Sequence, residues 1–179
     1  GVIESLDYFK NLGVSSLWLN PVLENDMPSY SYHGYAMTDL YAVDERYGSN
    51  ALYKELADKA KEKGIGLIMD QVANHIGSSH PWMADLPSKD WVNQWPEFTQ
   101  TNHMKVSRFD PHAADVDRKM FTDGWFVETM PDLNQRNEKL ARYLIQNSIW
   151  WIEYLGLHGI RMDTWPYPEK QFLTDWTKT

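Results

Sequence analysis

The sequence predicts an α/β protein built on a parallel sheet. Three times an amphipathic helix stops at a glycine and a β-rich run begins at once. Polar residues then gather where each run stops. Repeated helix-to-strand units running in one direction favour parallel strands covered by helices.

The first unit is a predicted helix from about Val2 to Leu12, a stop at Gly13, and a strand over Val14–Leu19 that leads into Asn20-Pro21. In the second, a helix from about Asn50 to Lys63 places Leu52, Leu56, Ala57 and Ala60 on one face. It ends at Gly64 and is followed by the strand Ile65–Asp70. The third is capped near Asn137, carries Leu140, Leu144, Ile145 and Ile149 inward, stops at Gly156 and delivers the strand Gly159–Asp163. A fourth helix is predicted from near Pro168.

Residues 76–136 break this rhythm. The segment is rich in Trp, Pro, Asp and His, lacks a long amphipathic period and is too long for an ordinary connection. It is predicted to be an irregular insertion with work of its own. The expected organisation is therefore 1–75, an inserted unit over 76–136, and 137–179.

Two strand ends carry the chemistry. Gly159-Ile160-Arg161-Met162-Asp163 closes an apolar run with a carboxylate, and Arg161, two residues earlier, points to the same side. A cation there holds the carboxylate ionised and aimed. The second strand end reads Asp70-Gln71-Val72-Ala73-Asn74-His75. Tyr32-His33-Gly34-Tyr35, with Asp39 after it, adds aromatic and imidazole groups in the loop between the first two units.

Taken with Gly13 to Pro21 and Met130-Pro131-Asp132-Leu133-Asn134, these motifs stand in an order and spacing that resembles the α-amylase superfamily of glycoside hydrolases. Within it the neopullulanase and cyclomaltodextrinase type is the most similar. The resemblance covers essentially the whole chain. It implies part of a (β/α)8 barrel, the region of strands two to four, with 76–136 as the inserted subdomain after strand three. A complete barrel needs roughly 250 residues, so 179 residues are expected to be a piece of a longer enzyme.

The resemblance also implies roles. Asp163 takes the position of the nucleophile that forms a covalent glycosyl intermediate, with Arg161 as its partner. A strand-end Asp is otherwise an ordinary cap. Tyr35 matches the platform under the sugar whose bond is broken, while His33 and His75 match hydrogen-bonding neighbours; Tyr32 is expected only to pack. Asp70 reads as a residue that orients the others. Asn74, Asp132 and the carbonyl of Tyr167 match calcium ligands, with a plain Asn-to-Asp hydrogen bond as the alternative; no other cofactor is implied. The general acid has no counterpart, because Glu169 and Asp175 fall in or beside the fourth helix.

The implied activity is retaining hydrolysis of α-glucosidic bonds in maltodextrins, cyclodextrins or pullulan. Thr164-Trp165-Pro166-Tyr167 departs from the Lys-His pair of many α-amylases, which disfavours endo-action on long starch. The alternatives are a non-catalytic glucan-binding relative, or a transglycosylase or isomerase of the same superfamily. Composition agrees with a carbohydrate partner. The formal net charge is −8 with no basic cluster, which argues against nucleic acid, and nine Trp and ten Tyr supply faces suited to sugar rings. No run is long and apolar enough to span a membrane. Without cysteine no disulfide framework exists. A homo-oligomer of the parent enzyme and its compartment, cytoplasmic or extracytoplasmic, stay open.

Overall fold

The computed structural model describes residues 1–29 and 32–179. Helices α1 (Leu6–Asn11) and α2 (Asn50–Glu62) precede strands β1 (Ser16–Trp18) and β2 (Gly66–Gln71). After α3 (Asp115–Asp123) come α4 (Glu138–Leu155), β3 (Gly159–Met162) and α5 (Lys170–Lys178). The strands form one parallel sheet in the order β1-β2-β3.

Side-chain alternation along β2 organises the molecule. Leu67 and Met69 point toward the helices and are buried, and Gln71 on the same side accepts a hydrogen bond from Ser148 Oγ of α4 at 2.7 Å. On the opposite face, Trp18 pairs in register with Ile68, Ile68 with Gly159, and Asp70 with Arg161. One face is therefore core, and the other carries a row of polar and aromatic groups rising toward the strand ends.

α4 covers the core face with Leu140, Leu144, Trp151 and Leu155, α2 with Tyr53, Leu56, Ala57 and Ala60. Burying each large side chain contributes roughly 1.5–3 kcal/mol. α4 also fastens the loop between β1 and α2, because Asn147 Nδ2 and Trp151 Nε1 both donate to the Leu40 carbonyl at 2.8 and 2.9 Å. That loop is further closed by Asp44, which accepts from Arg46 and from the Asn25 N–H.

Helix boundaries follow cap chemistry. Ser49 Oγ accepts from the Leu52 N–H, and Asn137 Oδ1 accepts from the N–H groups of Lys139 and Leu140. Several details differ from the sequence expectation. The first helix is split into a 3-10 turn, Ile3–Ser5, and α1, because Ser5 sits at φ −93°, ψ 3°, away from the α-helical well. β1 is shorter than predicted because β2 begins only at Gly66, after the Gly64 turn, which leaves Val14 without a ladder partner. Leu52 is 42% exposed and its inward place goes to Tyr53. It lines a cavity of about 850 Å³ together with Val2, Leu19, Val43 and Tyr53. Ile145 is half-buried and packs against the main core, whereas Ile149 is half-buried along a groove beside Phe172.

Residues 76–136 return to the end of β2 through short antiparallel bridges, His75 with Asp132 and Val92 with Leu133. Within this segment lies α3, a regular helix where the sequence predicts irregular structure. Its nine residues are too few to show a long hydrophobic period.

Gly66 shows how closely the units pack, since a Cβ there would lie 1.9 Å from His158 Nδ1. Gly66→Ala is expected to lower stability by about 1–3 kcal/mol through overpacking, read by denaturant melting of the complete protein. The double variant with His158→Ala should recover part of that loss. Additive losses would show that the ring is not the obstacle.

Candidate active site

The polar face of the sheet converges on Arg161. Its Nη1 lies 3.0 Å from both Asp70 oxygens and 2.7 Å from Asp163 Oδ1, so one guanidinium spans two carboxylates. The register that sets Asp70 beside Arg161 in adjacent parallel strands makes the first contact, and two-residue spacing along β3 makes the second. Asp163 stands just past the strand and continues the ladder through its N–H to the Gln71 carbonyl at 2.7 Å.

Asp70 is the buried anchor. It accepts from Trp18 Nε1 at 3.1 Å and from the Tyr35 hydroxyl at 3.2 Å, in addition to Arg161. Burial raises its carboxyl above the ordinary value, against the pull of Arg161 and Trp18. On Arg161 burial works against the charge, but the hydrogen bond to Asp70 and the two carboxylate charges outweigh it and hold the group above its usual value. The same guanidinium carbon lies over the rings of Trp18 and Tyr35, at 5.2 and 6.0 Å.

Tyr35 is half-buried, and its hydroxyl belongs to this network, also receiving Arg161 Nη1 at 3.4 Å. The sequence reading stresses the ring; the structure adds a role for the oxygen. Gly34 allows the approach, with φ +81° and no room for a Cβ, which would lie 2.5 Å from the Pro21 carbonyl oxygen. His33 Nδ1 accepts the Tyr35 N–H at 2.9 Å, which leaves the proton of a neutral imidazole on Nε2. Tyr32 is 83% exposed, with its ring edge-on to His33 at 5.3 Å.

His75 is fully buried, stacked on Phe126 at 5.4 Å and 25°. Burial pushes its pKa down to about 4, only partly offset by the Asp163 charge, so it is neutral at pH 7. Its Nδ1 faces Asn74 Nδ2 at 3.3 Å, and its Nε2 is buried with no protein partner among the described residues. A buried, unpaired nitrogen of this kind is costly unless a ligand meets it.

Asn74 and Asp132 are both buried side by side, and Asn74 Oδ1 has no protein partner among the described residues. Burial drives the Asp132 carboxyl well above the ordinary range, although Asn93 Nδ2 donates to it at 2.8 Å. These are two hard oxygens of the kind calcium takes, out of the six to eight its shell needs, and among the described residues no group of three or more His, Asp or Glu side chains gathers to hold a metal ion. The Tyr167 carbonyl is less available, since Arg108 Nη1 donates to it at 3.1 Å and also reaches the Pro166 carbonyl. Tyr167 itself is buried against Phe121, and the Asp163 charge reaches its hydroxyl.

Glu169 caps α5 through the Lys170 N–H, and Asp175 is exposed on that helix. Neither joins the cluster around Arg161. Sequence reasoning missed Trp18, Phe126, Asn93, Arg108 and His103. Only Trp18 had a legible signal, an aromatic at a strand end two residues before Asn20-Pro21; the others lie in the aperiodic segment.

A sequence profile described as the α-amylase catalytic domain matches residues 1–176. The chain is 36% identical over 172 residues to "Alpha-amylase 3" of Dictyoglomus thermophilum, covering 91% of this chain and 31% of that protein. It is 30% identical over 174 residues to an oligo-1,6-glucosidase of Heyndrickxia coagulans, covering 91% of this chain and 30% of that one. Among solved structures, the α-amylase of Geobacillus thermoleovorans complexed with acarbose superimposes with a TM-score of 0.81 at 35% identity, covering 99% of this chain and 36% of its own. The chain thus spans about a third of the length of these relatives.

Two outcomes follow from this geometry. Arg161→Ala in the complete protein is expected to cost about 3–5 kcal/mol of stability, because it strands the buried Asp70 charge; a melt within ~0.5 kcal/mol of the parent would contradict it. His75 and His80 both have pKa values lowered to about 4 by burial. A depressed folded-state pKa means that the unfolded chain binds protons first, so stability is expected to hold above about pH 6.5 and to fall between there and about pH 4. Melting temperatures flat across that window would refute the assignment of neutral, buried imidazoles.

Proposed function

This chain belongs to the α-amylase catalytic-domain family, matched over residues 1–176, and on that footing we propose that the protein carrying it is a retaining glycoside hydrolase of α-glucans. The observation that carries the reading is the Arg161 guanidinium shared between Asp70 and Asp163. The ion pair fixes Asp163 at a strand's carboxyl end, which is where this barrel architecture presents its reacting groups.

In the proposed reaction, the Asp163 carboxylate attacks the anomeric carbon as the glycosidic bond breaks, giving a covalent glycosyl ester that water then cleaves. Tyr35 supports the sugar ring and, through its hydroxyl, keeps Asp70 and Arg161 in register. His75 presents neutral Nε2 to a sugar hydroxyl, satisfying a nitrogen that has no hydrogen-bond partner among the described residues. A second carboxyl group about 5–5.5 Å from the nucleophile must protonate the leaving oxygen. Glu169 and Asp175 are held on α5 and do not serve, so that group is assigned to a part of the enzyme beyond the residues described. Maltodextrins, cyclodextrins or pullulan are the proposed substrate class; relatives carrying the names α-amylase and oligo-1,6-glucosidase support the shared α-glucosidic chemistry.

Asp163→Asn in the full-length protein is expected to lower kcat far more than tenfold while oligosaccharide affinity stays nearly unchanged, since a nucleophile acts in the transition state. Retention of more than about a tenth of kcat, a barrier change of only ~1.4 kcal/mol, would overturn the assignment.

We also propose that Asn74 and Asp132 seat a calcium ion that ties the segment 76–136 to the end of β2. The ion would neutralise a carboxylate that burial otherwise disfavours. Calcium is expected to raise the melting temperature of the complete protein over that in chelator, and Asp132→Asn to abolish the difference. A parent whose melting ignores both calcium and chelator would refute it.

A further inference from the structure

Among the described residues, two that are not glycine have positive φ, His103 at 55° and Thr164 at 49°. L-residues adopt that conformation at a cost, and such positions concentrate where function holds them. Both meet at Tyr167. Its hydroxyl lies 3.1 Å from His103 Nδ1, and its N–H donates to the Thr164 carbonyl at 2.9 Å. Thr164 directly follows Asp163, so the clasp joins the segment 76–136 to the turn behind the proposed nucleophile.

Core packing does not explain His103. The residue is exposed, although its ring lies edge-on to Phe126 at 5.3 Å and 82°, and Phe126 in turn stacks on His75. His103 thus touches two residues that lead toward the site: Tyr167, bonded to the turn that follows Asp163, and Phe126, stacked on His75. The Tyr167 hydroxyl engages Nδ1, so Nε2 is the ring nitrogen left to meet a ligand. An imidazole nitrogen suits a sugar hydroxyl in either tautomer, because the hydroxyl both donates and accepts.

We propose that His103 is a substrate-contacting specificity residue, whose Nε2 hydrogen-bonds a hydroxyl of the glucosyl unit next to the one held over Asp163. The strained backbone presents the ring, and Tyr167 fixes its rotation. This assignment rests on the α-glucan reading of the same cleft.

The test uses the full-length protein with maltotriose and maltohexaose, comparing the parent with His103→Gly and His103→Asn by steady-state kinetics, titration calorimetry and thermal melting. Glycine adopts φ 55° freely, so His103→Gly is expected to melt at or above the parent temperature. The same variant should raise KM and Kd roughly threefold to tenfold, the worth of one neutral hydrogen bond, with kcat little changed. Asparagine tolerates this backbone region and carries a short polar group, so His103→Asn should recover part of the affinity. It also carries the readout if the glycine variant fails to fold. Unchanged KM and Kd with raised stability would overturn the proposal, as would a fall in kcat alone, which would make the ring only a brace for Tyr167. A parent that binds maltohexaose without cleaving it would sink the hydrolase reading, yet weaker binding by His103→Gly would still support the contact. Absence of both binding and cleavage in the parent would remove both.

Discussion

The Arg161 guanidinium lies between two carboxylates, and a cation shared in that way fixes where both of them stand. Asp70 is buried, and burial alone drives it toward the neutral acid. A unit charge at about 4 Å is worth ~4 kcal/mol at the effective dielectric near a protein surface, enough to offset much of that penalty. The geometry needs β2 and β3 in one register, Asp70 beside Arg161, and Asp163 two residues on. A slip by one residue would send each side chain to the opposite face. The helices on the far side of the sheet hold that register. Leu67 and Met69 of β2 are buried on that side, and Gln71 binds α4 through Ser148.

The loops depend on the same frame. α4 captures the Leu40 carbonyl with two donors, which fixes the loop that brings Tyr35 to Asp70. The segment 76–136 returns to the end of β2 beside His75 and supplies Phe126, whose ring closes over that imidazole. Among the described residues, His75 Nε2 and Asn74 Oδ1 have no hydrogen-bond partner inside this dry wall. Both are costs to the free protein that a bound hydroxyl or cation would relieve.

Much of this was legible in the sequence wherever a local rule governs. Gly13, Gly64 and Gly156 all take positive φ, and each marks a helix end that the pattern already indicates. The pairing of Arg161 with Asp163 follows from two-residue periodicity, and the Asn137 cap from its side-chain chemistry. Contacts between distant segments were not legible. Nothing in Tyr32-His33-Gly34-Tyr35 tells that the Tyr35 hydroxyl meets Asp70, 35 residues away. Likewise Trp18 reaches Asp70 only because β1 and β2 pair as neighbours. His103, Arg108 and Phe126 sit in sequence without a period, where neither helix nor strand spacing predicts a facing side chain. Ile149 shows the opposite failure. Its spacing fits an inward stripe that Ile145 does join at the core's margin, yet Trp151, Asn147 and Ser148 set the buried face of α4, turning it slightly from the purely apolar choice.

The central claim is that Asp163 forms a covalent bond to the sugar. The most direct measurement is to trap that intermediate in the full-length protein with a fluorinated α-glucosyl fluoride, which slows hydrolysis of the ester, and to map the adduct by peptide mass spectrometry. The account predicts one glycosyl group, on the peptide containing Asp163, with loss of activity in proportion to labelling. A label on any other carboxylate, or full turnover of α-glucans with no trapped ester at Asp163, would contradict it.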